Sequence, residues 1–366
     1  MSLKLTLLTR FYFNMKNNID FLNTNPFILN EDEKNKIFYK RINYLTKFHY
    51  KKSPIYKKIL INLGYKNEKN YPIANLPFIP ARLFKEIELK SIKKKDIFKV
   101  LRSSGTTGNK TSKIFLDKNN ASNQRIALSK IFTSFVAKNR MPMLIIGQNP
   151  IFNRFNFNAK TAAILGFSLF GSNHEYLFNK SNELDEKVLF NFLKKYKNQK
   201  FLIFGFTSDI YSTFFYHLAK IKKINLENAV LIHGGGWKKL ESKKISNRVF
   251  KKKLLTNYNI QTVINYYGLI EQVGSIFFEC PICNVFICSD FSDILIRDQN
   301  FNIKNKGKGI VQLISLIPTS YPGHNILTED IGEVLGYDYC KCGIKGKAFR
   351  IHGRIANSEI RGCSNV

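Results

Sequence analysis

Tryptophan occurs once and methionine four times among the 366 residues, and acidic side chains are scarce, with 26 Asp and Glu against 58 Lys and Arg. The formal charge of +32 invites a nucleic-acid partner, because surplus Lys and Arg neutralise phosphates. Yet the lysine runs (Lys93-Lys94-Lys95, Lys222-Lys223, Lys251-Lys252-Lys253) are short and scattered. A binding arm concentrates its charge, so these read as solvated lysines on helix faces, and no nucleic-acid partner is expected. No apolar run approaches the ~20 residues of a membrane-spanning helix. The opening MSLKLTLLTRFYF has no small-residue cleavage site, so no signal peptide is expected and the cytoplasm is the expected compartment. Internal repeats and low-complexity linkers are also lacking. Hydrophobic residues make up 44% of the chain, too many for disorder, and the length suits one large domain or two ordinary ones.

What is present changes texture along the chain. Residues 1–100 read as mostly helical with polar connections, broken at Tyr71-Pro72 and Leu76-Pro77, because proline ends or kinks a helix. From 101 to 272, short apolar runs alternate with helical stretches. MLIIG (143–147), FLIFG (201–205), AVLIHGG (229–235) and TVINYYG (262–268) each end in glycine, which predicts an α/β fold with ligand loops at the strand ends. From 273 to 352 the pattern is rich in strands and turns, with strands expected near 285–296, 309–317 and 331–337. Residues 353–366 form a tail.

The sharpest segment is Ser103-Ser104-Gly105-Thr106-Thr107-Gly108-Asn109-Lys110. Two glycines let backbone approach an anion, and hydroxyls and turn amides can donate to phosphate oxygens. Lys110 or Lys113 would neutralise the charge. It is not a Walker loop, because Asn109 separates the second glycine from the lysine. On composition alone, a phosphate loop and a plain turn stand even.

SSGTTGNK resembles the phosphate loop of the acyl-adenylate-forming superfamily, and further segments resemble its other motifs in order. Gly234-Gly235-Gly236 follows a strand-like run, as the adenine-side loop does. Tyr266-Tyr267-Gly268-Leu269-Ile270-Glu271 is similar to the Tyr-Gly-x-x-Glu motif, Thr328-Glu329-Asp330 to Thr-Gly-Asp, and Gly353-Arg354 to the pair before the hinge. The resemblance implies an adenylate-forming large domain of packed α/β sheets with a small β-rich subdomain. It implies ATP and Mg²⁺ as cofactors, with phosphates held by Ser103, Ser104, Gly105, Thr106, Thr107 and Gly108. Gly235, Gly236, Tyr267 and Gly268 would take the adenine side, Glu271 the Mg²⁺, and Asp330 and Arg354 the ribose.

Two departures refine this. The superfamily normally continues into a C-terminal cap domain, whereas this chain ends soon after Arg354, so the cap is expected to be missing. The tail Glu359-Ile360-Arg361-Gly362-Cys363-Ser364, with LPFIPARLFK (76–85), HGGGWKKL (233–240) and ISLIPTSYPGHNILTED (314–330), resembles the acyl-protein synthetase family, related to phenylacetate-CoA ligase. That resemblance implies a fatty-acid–protein ligase in which an acid is adenylated and passed to a cysteine near the C-terminus. Here that cysteine is Cys363, and the next acceptor would be a fatty-acyl reductase or an acyl carrier protein. The chemistry is coherent. Attack of the carboxylate on the α-phosphate makes a mixed anhydride with a good leaving group, helped by positioning and charge neutralisation. A thiolate then captures the acyl group, and Arg361 favours that thiolate.

The remaining cysteines cluster. Cys280-Pro-Ile-Cys283 and Cys340-Lys-Cys342 supply two close pairs of thiols, the spacing of a structural tetrahedral Zn²⁺ site, with Cys288 as an alternative ligand. Four thiolates leave no open position, so a catalytic zinc is not expected. Phe152, Phe155, Phe157, Phe167 and Phe170 are candidates to line an acyl channel, or plain core. Two rival readings remain: a ligase that delivers to coenzyme A or a carrier protein, and a basic nucleic-acid-binding protein with a zinc module.

Overall fold

Asn30 and Glu33 start the first long helix by binding each other's backbone amides, a complete capping box, which satisfies two amides that a helix start leaves unpaired. Acidic residues fill the first turn and His49, Lys51 and Lys52 the last, each sign facing the favourable end of the helix dipole. The structure, a computed structural model, describes residues 20–103, 110–153, 159–221 and 224–355. Helix α1 (Glu31–Lys52) runs into α2 (Pro54–Asn62), which opens on proline, where the missing N–H costs nothing. The inner face of α1 carries Ile37, Phe38, Ile42 and Leu45. It also buries polar groups that find partners far along the chain: Arg41 Nε donates to Leu316 O (3.3 Å) and Thr46 Oγ1 bonds His324 Nε2 (2.9 Å).

Strand β1 (Ile79–Pro80) is a two-residue edge. Strands β2 (Lys99–Arg102) and β3 (Lys113–Leu116) form an antiparallel pair, with Lys99 opposite Leu116 and Arg102 opposite Lys113. In sequence, the glycine-rich segment falls between these two paired strands. Helix α3 (Lys118–Phe135) follows, capped by Asp117.

The glycine-ended runs lie in one sheet. It contains β4 (Met141–Gln148), β5 (Gly171–Phe178), β6 (Phe201–Phe206), β7 (Ala229–Gly234), β8 (Thr262–Gly268) and β9 (Ile276–Phe278), in the order β5-β4-β6-β7-β8-β9. The first five are parallel and β9 is antiparallel to β8. Helices α4 (Ala159–Ser168), α5 (Glu186–Lys195) and α6 (Asn247–Tyr258) fall between strands. Side chains alternate across the sheet. Met143, Ile145, Leu202 and Phe204 join a core shared with α1, α3 and α4. Leu144, Ile146, Phe201 and Ile203 meet Leu189, Phe192, Phe250 and Leu254 on the other face. Both faces are covered, which explains why the strands read as continuous apolar runs. Truncating a fully buried ring such as Phe204 to Ala costs about 3–5 kcal/mol.

A second sheet contains the remaining strands, β10 (Phe286–Ile287), β11 (Ser292–Arg297), β12 (Gly309–Ser315), β13 (Asn325–Tyr337) and β14 (Lys347–Arg354). Its order is β10-β14-β13-β12-β11, with β1 pairing β13 in parallel. The sequence predicts one strand over 285–296, but the chain breaks between β10 and β11. There Asp290 turns its Oδ2 to the amides of Ile28 and Leu29 (2.9 and 3.2 Å). Those bonds tie the start of the described chain to this sheet. Strand β13 also begins earlier than the expected 331, because its first residues pair with β1 and β12.

Candidate active site

The loop base comes first. Ser103 N donates to Ser112 O (3.0 Å), and Ser112 N donates to Ser103 Oγ (2.8 Å), which continues the β2–β3 pairing past Arg102 and Lys113. Ser112 is fully buried, and its hydroxyl donates to Glu271 Oε1 at 2.6 Å. Glu271 sits in the short turn Ile270–Gln272 that follows β8, and it too is buried. A carboxylate accepting an O–H at this distance has the length of a charge-assisted bond. Ser104, Gly105, Thr106, Thr107 and Gly108 lie outside the described residues.

The two loop lysines are held by carboxylates. Lys110 Nζ lies 2.8 Å from Glu86 and Lys113 Nζ 3.0 Å from Glu88. Lys113 holds the Glu88 carboxyl below the usual carboxylate range.

The second group forms where β8 meets the ends of β13 and β14. Tyr267 donates its hydroxyl to Asp330 Oδ2 at 2.7 Å. Burial, with the Asp330 carboxylate beside it, pushes the phenol far above its ordinary pKa. Asp330 and Arg354 face each other across β13 and β14, with Arg354 Nε 3.6 Å from Asp330 Oδ1. Arg354 Nη2 donates to Glu329 Oε2 at 2.6 Å, and Thr328 Oγ1 accepts from the Asp330 amide (3.0 Å). Tyr267, Asp330 and Arg354, more than 60 residues apart from first to second, thus form one contiguous group.

The loop after β7 carries the glycine run 234–236. A Cβ on Gly234 would sit 2.5 Å from the Tyr266 ring, and Gly235 has φ +78°. The first position needs glycine for space and the second for its left-handed backbone. Thr207, at the end of β6, places its hydroxyl 3.0 Å from His233 Nδ1 and 3.1 Å from Gly234 O, tying the ends of β6 and β7 together. His233 is buried, and desolvation takes its pKa down to about 3, so the ring is neutral. Gly235 and Gly236 are exposed, as is Gly268.

Phe167 and Phe170 are buried. Phe167 stacks on Phe204 with centroids 4.3 Å apart and Phe170 on Phe132 at 4.0 Å. Tyr266 closes on Phe167 at 4.7 Å, so an aromatic wall backs the sheet face below Gly234. Phe155 and Phe157 lie outside the described residues, as does the Phe152 side chain.

The cysteine pairs also converge. The ligand atoms of Cys280, Cys340 and Cys342 all lie within 4.8 Å of one another, with Cys280 Sγ and Cys340 Sγ 3.3 Å apart. Cys283, the expected fourth ligand, is not part of that group, although its thiol interacts with Cys340. Cys288 is buried with its thiol beside Asp293, and burial raises its pKa to about 12.

Two residues of the site escaped the sequence reading. Ser112 is one, although a hydroxyl two residues past Lys110 at a strand start was the available signal. The other is Glu329, whose pairing with Arg354 could be suspected from its place where the resembled motif has glycine.

The fold is that of the adenylate-forming enzymes. It is similar to 2-hydroxyisobutyryl-CoA ligase in an open conformation with 2-HIB-AMP and CoA, with a TM-score of 0.69 and 14% identity over 90% of this chain and 77% of that one. The same ligase in its postadenylation state gives 0.68 and 15% over 90% and 69%. Its thioesterification state gives 0.68 and 15% over 93% and 73%. Within that class, the sequence model described as "Acyl-protein synthetase, LuxE" matches residues 12–366, and the chain belongs to that family. No curated protein matches it in sequence. Among the described residues, no helix is long and apolar enough to cross a membrane.

Proposed function

We propose that this chain activates a carboxylic acid, of the fatty class, as acyl-AMP from ATP with Mg²⁺, and then moves the acyl group to Cys363 as a protein thioester. Membership in the acyl-protein synthetase family carries the reading. The convergence of Ser112 with Glu271 and of Tyr267 with Asp330 and Arg354 supports it. In this account the loop from Ser103 to Gly108 holds the phosphates, with Lys110 or Lys113 neutralising charge. Gly235, Gly236, Tyr267 and Gly268 form the adenine side, and Asp330 and Arg354 the ribose side. Mg²⁺, when bound at Glu271, would neutralise phosphate charge, and the chain's own part is to aim that carboxylate. The carboxylate of the acid attacks the α-phosphate and pyrophosphate leaves. The Cys363 thiolate then attacks the acyl carbon, AMP leaves, and a thioester remains. A downstream reductase or acyl carrier protein would accept it, in the cytoplasm.

The cysteine cluster fits a structural Zn²⁺. Three soft sulfur donors already lie within bonding reach of one centre, and Cys283 would make the fourth of a closed tetrahedral set. The ion would fasten the turn after β9 to the β13–β14 connection and take no part in the chemistry.

A screen of carboxylic acids for ATP–pyrophosphate exchange tests the first half reaction. Exchange that depends on one chain-length class is expected. Exchange with no acid in a panel of short, medium and long chains would end the reading. Thioester formed on added coenzyme A at an undiminished rate by Cys363→Ser would select the rival ligase instead.

A further inference from the structure

We infer that Ser112 is a positioning residue that couples the base of the phosphate loop to the metal-binding carboxylate of Glu271, an inference that rests on the nucleotide and Mg²⁺ roles proposed above. Ser112 uses its three polar groups in two directions. Its amide and carbonyl lock it to Ser103, one to the side chain (2.8 Å) and one to the backbone (3.0 Å). Its hydroxyl reaches 159 residues along the chain to Glu271 Oε1 at 2.6 Å. The side chain has no exposed surface and Glu271 is 5% exposed, so water does not compete for the bond. The loop between Ser103 and Ser112 cannot shift its base without moving the hydroxyl, and the hydroxyl cannot move without re-aiming the carboxylate.

Donors that hydrogen-bond a metal-ligating carboxylate orient it, and their loss typically weakens metal binding by about 10–100-fold. The ordinary alternative is that Ser112 merely satisfies a buried acid. That role would show in stability and leave metal affinity alone, so the two are separable by experiment.

The test measures Mn²⁺ binding by electron paramagnetic resonance with α,β-methylene-ATP present, alongside the thermal midpoint of each protein. Ser112→Ala is expected to bind Mn²⁺ at least tenfold more weakly and Ser112→Thr within about threefold of the parent. Ser315→Ala, which removes an equally buried hydroxyl that accepts from Ile317 N, is expected to leave Mn²⁺ affinity unchanged. A folded Ser112→Ala protein with parental Mn²⁺ affinity overturns the inference while leaving the adenylation reading intact. Parent protein that binds no Mn²⁺ with the nucleotide overturns both. Where Ser112→Ala does not fold, Ser112→Cys, close in size and a weak donor, carries the test, and parental affinity in it likewise overturns the inference.

Discussion

The Tyr267 hydroxyl donates to Asp330 Oδ2 at 2.7 Å, joining the end of β8 in one sheet to β13 in the other. The aromatic and the acid proposed for adenine and ribose therefore share a hydrogen bond, and their contributions can be separated by substitution. Tyr267→Phe keeps the ring and removes the bond to a charged acceptor. It is expected to raise the KM for ATP roughly tenfold, in line with about 1.5 kcal/mol for such a bond. Asp330→Ala removes the carboxylate itself and is expected to raise KM by roughly a hundredfold. Pyrophosphate-exchange kinetics check both, and an equal, negligible effect of the two would remove this corner from the nucleotide site.

Glu329 competes for Arg354. With Nη2 held at 2.6 Å by Glu329, Arg354 in its proposed ribose role would have to share or give up that contact. Glu329→Gln weakens the hold and is expected to lower the KM for ATP by roughly two- to fivefold, whereas Arg354→Ala raises it at least tenfold. Steady-state kinetics of the two variants decide the matter, and a higher KM in Glu329→Gln would show that the pair acts as a unit.

Acid stability has a defined direction. His49 and His324 stack with centroids 5.0 Å apart and are fully buried. Desolvation, opposed by the Pro318 carbonyl and aided by the charge of Arg41, takes the His49 pKa down to about 3, and His324 lies well below its ordinary value. Both folded-state values lie under the unfolded value of about 6.5, so folding requires the neutral rings. Their contribution is fully present above pH 6.5 and is lost as pH falls from there toward 3, by up to about 1.4 kcal/mol per pH unit for each ring. Urea midpoints measured between pH 7.5 and 4.5 should fall accordingly. Replacing His324 by Gln should flatten the slope, and an unchanged slope would refute the assignment.

Zinc is expected at one equivalent per chain in gently purified protein. Cys280→Ser removes the thiol 3.3 Å from Cys340 Sγ and is expected to lose the metal and lower the thermal midpoint. Chelation of the parent protein should do the same, because a structural zinc site couples binding to folding. Elemental analysis with calorimetry checks this, and a metal-free parent that melts as the chelated one does would dismiss the site.

Much of the fold was legible because buried parallel strands leave a plain trace. The runs 143–147, 201–205, 229–235 and 262–268 all fall on strands of one sheet, the third running one residue past its strand end at Gly234. The motif residues Glu271, Tyr267, Asp330 and Arg354 could be chosen by order and type. Their mutual contacts could not, since nothing in sequence fixes which residue of β13 lies opposite Arg354. The polar interior of α1 was equally hidden. Lys34, His49 and Arg41 look like solvated positions on a lysine-rich helix, yet they are buried against Asp293, His324 and Leu316, each hundreds of residues away. Only tertiary pairing makes such burial tolerable, and tertiary pairing is what a single sequence does not display. The base charge also resolves locally: Lys110, Lys113, Lys160 and Lys251 each meet a carboxylate.

The central claim is acyl transfer to the chain's own thiol. Protein incubated with ATP, Mg²⁺ and a labelled fatty acid, then treated with neutral hydroxylamine, measures it directly. The account predicts a hydroxylamine-labile label on the parent protein, absent from Cys363→Ser, while that variant still exchanges pyrophosphate with ATP. Equal labelling of the Cys363→Ser protein, or no label on a parent that does exchange pyrophosphate, would contradict it.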